Sequence, residues 1–187
     1  MKPSILAEEL HPPDCFVCGP DNPCSLRAES RVDTEKGEVI FTHHFKGHET
    51  GAPGKTRLVH GGALAALLDE AQGVLAHHIG HIVMTDQLHM KYHKATPIAN
   101  AVKIHAWVTT VRKRRLYTRA TIENLDGDLL VSSSGRWYLM PERLLAKMSG
   151  QDGSLMGFSS ELLEANKARA KKIRKKRKAQ ARVNGIT

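Results

Sequence analysis

The clearest periodicity in the chain runs from Gly62 to His78, where Leu64, Leu67, Leu68, Ala71, Val74 and Leu75 recur at helical spacing. At about 100° per residue they form one apolar stripe, which predicts an amphipathic helix about 25 Å long lying on a sheet. Away from the stripe stand Gly62, Ala65, Ala66, Asp69, Gln72, Gly73 and Ala76, whereas a solvated helix face normally carries Lys, Arg and Glu. Small residues permit close approach. The helix is therefore expected to sit between its own sheet and a second body, with one carboxylate, Asp69, in the crevice. An Asp that only forms a salt bridge across a dimer contact is the plainer alternative.

Alternation at period two marks the strands. Residues 39–45 alternate after the Glu35-Lys36-Gly37 turn, and Leu26, Ala28 and Val32 hint at a short strand before it. Beyond the helix come four strand-like runs, 82–92, 101–111, 115–125 and 128–140. Pro97 and Asn100 separate the first two, Arg112-Lys113-Arg114-Arg115 turns the second pair, and Asp126-Gly127 is a hairpin signal between the last two. Residues 46–59, with Gly47, Gly51, Pro53 and Gly54, read as a loop. One helix followed by an antiparallel meander predicts an α+β fold in which a curved sheet wraps the helix.

Punctuation divides the rest. Five prolines before residue 24 predict an irregular arm over 1–24, the folded domain spans 25–142, and 143–187 is a linker and tail. In that last part, 149–154 reads as linker and 159–181 as a polar helix or a disordered tail. The net charge of +9 over 187 residues is concentrated: 161–187 hold ten Lys/Arg against two Glu, leaving +1 for the remainder. No run approaches the roughly 18 apolar residues of a membrane span, and no signal-peptide pattern opens the chain. Three cysteines crowded between Cys15 and Cys24 do not suit a secreted disulfide framework. A cytoplasmic protein is expected.

The chemistry converges on the helix start. Gly61-Gly62 lets the backbone approach a ligand closely, and the first amides of the helix then point at it, which suits a negative oxygen. Asp69, two turns further on, is placed to hold and deprotonate water.

The motif HGGALAALLDEA, set after a strand and loop and before a four-strand run, resembles that of the hotdog-fold acyl-CoA thioesterases of the PaaI-like group. The run Val83-Met84-Thr85-Asp86-Gln87-Leu88-His89-Met90-Lys91-Tyr92 followed by Pro97 resembles the family's second strand, and CFVCGPDNPCSL resembles a lead-in segment of some members. The resemblance covers roughly residues 15–140. It implies a dimeric or tetrameric hotdog fold hydrolysing an acyl-CoA to free acid and CoA, with Asp69 as general base. It further implies that Gly61 offers its amide to the thioester oxygen, that Thr85 steadies the water or the acid, and that His60 shapes the site, with Gly62 beside it. Several members carry an Asn six residues before the motif His, where this chain has Gly54; the set without that Asn resembles the human-type long-chain acyl-CoA thioesterase subgroup. A thioester is already activated, so positioned water, a base and an oxyanion donor suffice, and neither metal nor cofactor is required.

Other residues admit competing readings. Cys15, Cys18 and Cys24 with His11 offer four metal ligands within fourteen residues, but the spacing is irregular, and the resemblance accounts for CFVCG without metal. His77, His78 and His81 suit the C-terminus of the helix, with Gly80 as its cap. His43, His44, His89, His93 and His105 read as surface or interface residues. Arg112, Lys113, Arg114 and Arg115 are either a solvated turn or a cradle for the CoA phosphates. Trp107 points away from the helix, which hints at a further subunit contact. The tail over 167–182 is a solubilising end or an arm for nucleic acid or an anionic surface. A CoA-ester binding module without turnover, or a polyanion-binding protein acting through that tail, are the alternative functions.

Overall fold

A computed structural model describes residues 12–33, 36–52 and 56–141, together with Leu144, Lys171 and Lys175. The elements, in chain order, are β1 (Val32–Asp33), β2 (Glu38–His43), β3 (Thr50–Ala52), β4 (Leu58–Val59), α1 (Gly61–His78), β5 (Val83–Tyr92), β6 (Val102–Arg112), β7 (Arg115–Asn124) and β8 (Leu129–Leu139). The linker at 149–154 and nearly all of the basic tail lie outside the described residues.

The periodic segment is a helix as predicted, and all six stripe residues are buried, with Leu67, Leu68, Ala71, Val74 and Leu75 fully so. They pack on the inward residues of an antiparallel sheet, which alternate as two-fold strand periodicity requires: Val39 and Phe41 on β2, Val102, Ile104 and Ala106 on β6, Leu116, Thr118, Ala120 and Ile122 on β7. The same alternation carries His43 inward, where it is 4% exposed with its ring edge-on to Phe45 at 4.9 Å. His43 is thus a core residue, not the surface or interface residue expected.

The sheet order corrects the expected meander. Strands run β1-β2-β6-β7-β8-β5, so of the four strands after the helix β6, β7 and β8 follow one another as hairpins while β5 does not pair with β6. β5 pairs with β8, from Val83↔Leu139 to Tyr92↔Val131. The segment containing Pro97 and Asn100 therefore carries the chain from one edge, past β8 and β7, to β6. Two further corrections are local. The loop at 46–59 contains the small β3–β4 ladder, closed by Glu49, whose carboxylate accepts from the Lys46 and Gly47 amides at 2.9–3.2 Å. Leu26 and Ala28 form no strand, although both are buried and bond through their amides to Phe16 and Val17. The proline-rich segment is thus irregular but packed on the core from about Cys15.

Candidate functional site

The helix opens at His60, whose backbone is extended and whose Nδ1 accepts the Gly62 N–H at 2.9 Å. An imidazole here does what a Ser or Asp cap usually does. The Ala63 and Leu64 amides both reach the His60 carbonyl, at 3.0 and 3.3 Å. Gly61 is left with the one first-turn amide that makes no hydrogen bond among the described residues. The N–H of Gly62, expected to help hold substrate, is thus already engaged by the His60 ring. The carbonyl of Gly61 accepts from the Tyr92 hydroxyl at 2.9 Å, and a Cβ on Gly61 would already touch the Tyr92 ring at 3.4 Å. Tyr92 gave no signal of this role in the sequence, because it reaches the helix only through the pairing of β5 beside it.

The other end of the helix is fixed by a terminal Gly80 at φ +81°, with Gly80 N–H bonding to His77 O and His81 N–H to Ala76 O. This is a Schellman closure, as Gly80 led one to expect. Its rotation about its axis is set by Gln72. The Gln72 amide donates to Leu68 O at 2.8 Å and Ser133 Oγ at 3.0 Å, while its oxygen accepts from Thr118 at 2.6 Å. Trp137 Nε1 donates in turn to Thr118 Oγ1 at 2.7 Å. Gly135 is required beneath this network, since a Cβ there would lie 2.6–2.8 Å from Trp137, Thr118 and Gln72. Gln72 and Ala76 thus belong to the buried side and not to the crevice-facing set in which the sequence pattern placed them.

With Gln72 turned inward, the incompletely covered strip of the helix is Gly62, Ala65, Ala66, Asp69 and Gly73. Asp69 Oδ1 accepts from Thr85 Oγ1 at 3.1 Å. Burial pushes the Asp69 carboxyl above the ordinary carboxylate range, the Thr85 hydroxyl opposes that shift, and the neighbouring Glu70 charge adds to it. Thr85 lies on the edge strand β5 beside a bulge between Thr85 and Gln87. The extra residue, Asp86, is gripped by Arg136 at 2.7 Å and Arg115 at 3.0 Å, and Arg136 foremost holds its carboxyl below the usual value.

Arg115 also lies over the Tyr138 ring at 4.9 Å. Of the basic run, then, Arg115 is engaged in the sheet, while Arg112, Lys113 and Arg114 stand exposed on the β6–β7 turn, at the Thr85 end of the sheet. Trp107 is half-buried on the face away from the helix, tilted over His105 at 4.8 Å. The structure thus brings His60, Gly61 and Gly62 together at one end of the helix and Asp69 with Thr85 in its middle. Eight residues at 1.5 Å each separate Gly61 from Asp69 by about 12 Å.

Residues 57–131 match the family model of the Thioesterase superfamily. Among curated proteins, the chain is similar to the acyl-coenzyme A thioesterase THEM4 of Rattus norvegicus, 35% identical over 93 residues, covering 49% of this chain and 39% of that protein. The THEM4 of Mus musculus is 30% identical over 100 residues, covering 52% and 42%. The chain thus spans about two fifths of the length of the curated relatives it matches. Among solved structures, a thioesterase superfamily protein superposes with a TM-score of 0.61 at 31% identity, over 68% of this chain and 63% of that one. A Streptococcus mutans protein crystallised with acetyl-CoA superposes at 0.54 with 20% identity, over 58% and 86%, and bears on the fold alone. The fold is the hotdog arrangement of one helix against a large antiparallel sheet. No helix among the described residues is long and apolar enough to cross a membrane.

Proposed function

We propose that this chain, which carries a thioesterase-superfamily domain over residues 57–131, hydrolyses an acyl-CoA to free acid and CoA at a site completed by a second copy of itself. The observation that carries the reading is the Asp69–Thr85 pair on the open, small-residue strip of α1. A water held by the Asp69 carboxylate and the Thr85 hydroxyl attacks the thioester carbonyl as Asp69 takes its proton. The oxyanion that develops is met by the Gly61 amide, and its collapse expels CoA as a thiolate. General-base help of this kind supplies about 10² to 10⁴ in rate, and one oxyanion donor roughly 3 to 4 kcal/mol.

The distances favour two chains. Attacking water and oxyanion donor must both lie about 3 Å from the one carbonyl, whereas Asp69 and Gly61 of the same helix are about 12 Å apart. Antiparallel apposition of two α1 helices over Gly62, Ala65, Ala66 and Gly73 brings Asp69 of one copy to Gly61 of the other. The edge strand β5, with Tyr92 exposed beside that strip, extends the same face. Exposed Arg112, Lys113 and Arg114 supply cations for the CoA phosphates. A dimer or tetramer follows from the two-copy site, and the names of the curated relatives support an acyl-CoA as its substrate.

The test is release of free thiol from a panel of acyl-CoAs ranging from short to long and aromatic, with the purified full chain. Turnover of at least one class is expected. Tight binding of CoA esters with no thiol release would instead make the protein a binding module. Association with polyanions that persists without residues 167–182 would move its basic surface to the Arg112–Arg115 turn.

A further inference from the structure

We propose that Cys15, Cys18 and Glu70 form a binding site for a divalent cation of the zinc type, which staples the N-terminal segment to the middle of α1. One ligand atom from each lies within 4.8 Å of the others. Cys18 and Glu70 are 4% and 7% exposed and Cys15 is half-buried. Glu70 is the residue after Asp69, yet, about 100° further round the helix, it is buried, its carboxylate beside the Cys-Phe-Val-Cys turn. A carboxylate and two thiols gathered in an apolar core are a poor packing choice but a good ligand set.

The turn is built to present both sulfurs on one side. Cys15 N–H bonds to Pro12 O and Gly19 N–H to Cys15 O, each at 2.9 Å, and Val17 N–H points at Cys15 Sγ at 3.4 Å. Gly19 is obligatory there, because a Cβ would overlap the Cys15 amide nitrogen and the Pro13 and Cys15 carbonyls. Leu26 N–H to Phe16 O at 3.0 Å and Ala28 N–H to Val17 O at 2.9 Å anchor the turn to the chain that follows. Amides directed at a sulfur favour its thiolate, the form that ligates metal. For Cys15, burial works against the thiolate, but the Cys18 and Val17 amides prevail and hold the thiol below its ordinary value, whereas for Cys18 burial foremost and the Glu70 charge push the thiol well above its own, so the site rests on its geometry.

Two thiolates with one carboxylate suit a borderline-soft ion of tetrahedral preference. Ligand atoms about 2.0–2.3 Å from zinc lie roughly 3.5–3.8 Å from one another, so the cluster must contract by about 1 Å. The fourth position falls to solvent, and a cavity of about 340 Å³ lined by Cys18, Pro20, Arg27, Ala28, Glu29 and Lys46 provides the way in. On binding, the two thiols release their protons to solvent and Glu70 enters as carboxylate. The linear spacing did not suggest this set, because the third ligand lies 52 residues beyond Cys18 in the chain. The exposed Cys24, considered as a ligand on spacing alone, is not part of it.

The experiment uses the reduced full-length protein in a Cys24→Ser background, stripped with a chelator and titrated with Co²⁺ and then with Zn²⁺. A thiolate-to-cobalt charge-transfer band saturating at one equivalent and abolished by one equivalent of Zn²⁺ is expected. It should vanish in Cys15→Ser/Cys18→Ser, and Glu70→Gln should keep the band while weakening affinity at least about tenfold. Because the band is read on the otherwise unaltered protein, the test does not depend on the variants folding. Absence of the band, or a band that survives loss of both cysteines, would overturn the proposal. Unchanged affinity in Glu70→Gln would remove Glu70 from the site and with it the staple.

Discussion

The two sides of α1 are built on opposite principles. On the side of Gln72, every polar atom of the Gln72–Thr118–Ser133–Trp137 network finds its partner within one chain, and the surrounding side chains are fully buried. On the side of Asp69, one hydroxyl meets one carboxylate among glycines and alanines that cover nothing. A closed polar network fixes how the helix is rotated; an open one leaves room for what is to arrive. The network is thus complete in one chain, while the proposed chemistry needs a second copy, and perturbing either side should damage only its own property.

The sharpest way to break that contrast is to fill the open strip. Ala66→Arg places a long cation where close approach is needed, so activity should be lost altogether while the isolated protomer keeps its thermal transition. Light scattering and the thiol-release assay, run on the same sample, check this. A wild-type protein that scatters as a monomer and still turns over would end the two-copy reading.

Next in size comes the carboxylate itself. Asp69→Asn keeps the shape and the hydrogen bond to Thr85, and turnover should fall at least about 100-fold, roughly 2.7 kcal/mol of barrier. Thr85→Ala should lower it by only about tenfold, since in the proposed mechanism the hydroxyl orients the acid and does not take the proton. Equal losses in the two variants would exchange their roles. Neither should move the denaturation midpoint appreciably, which distinguishes the open side from the closed one.

On the closed side the signs reverse. Gln72→Ala removes the acceptor of the Thr118 hydroxyl and the donor to Ser133 Oγ, and should cost about 1–3 kcal/mol of stability, read by denaturant unfolding. The turnover of the molecules that remain folded should change less than in Asp69→Asn. A variant as stable as wild type would mean that the network does not set the helix.

This division shows what the sequence could and could not reveal. The leucine stripe, the Gly80 closure and the limits of β5 to β8 were legible because each is local, carried by spacing or a turn residue within a few positions. Gln72 was misplaced because a helical wheel does not know which neighbour will satisfy an amide; Thr118 is 46 residues away. The strand order escaped for the same reason, as no local pattern says that β5 joins β8 and not β6. Asp69 and Thr85 were singled out from their surroundings and from a family resemblance, and the structure brings them to 3.1 Å. The Cys15–Cys18–Glu70 cluster joins two segments that spacing alone could not connect.

The smallest effect tests the closed core through pH. His43 lies inward on β2, and its Nε2 makes no hydrogen bond among the described residues. Burial foremost depresses its pKa to about 4, with His44 and Lys46 acting in the same direction and Glu49 opposing them. The folded protein therefore prefers neutral His43, while the unfolded chain takes up a proton near pH 6.5. Stability is fully present above that value and declines as pH falls from about 6.5 towards 4. Between pH 7 and 5.5 the loss should be about 1 kcal/mol, measurable as a lowered urea midpoint. His43→Phe removes the titrating group and keeps an aromatic ring against Phe45, so its midpoint should vary less across the same interval. If the wild type and the variant fell in parallel, the acid sensitivity would belong elsewhere, and His43 would be no more than an aromatic filler of the inner face.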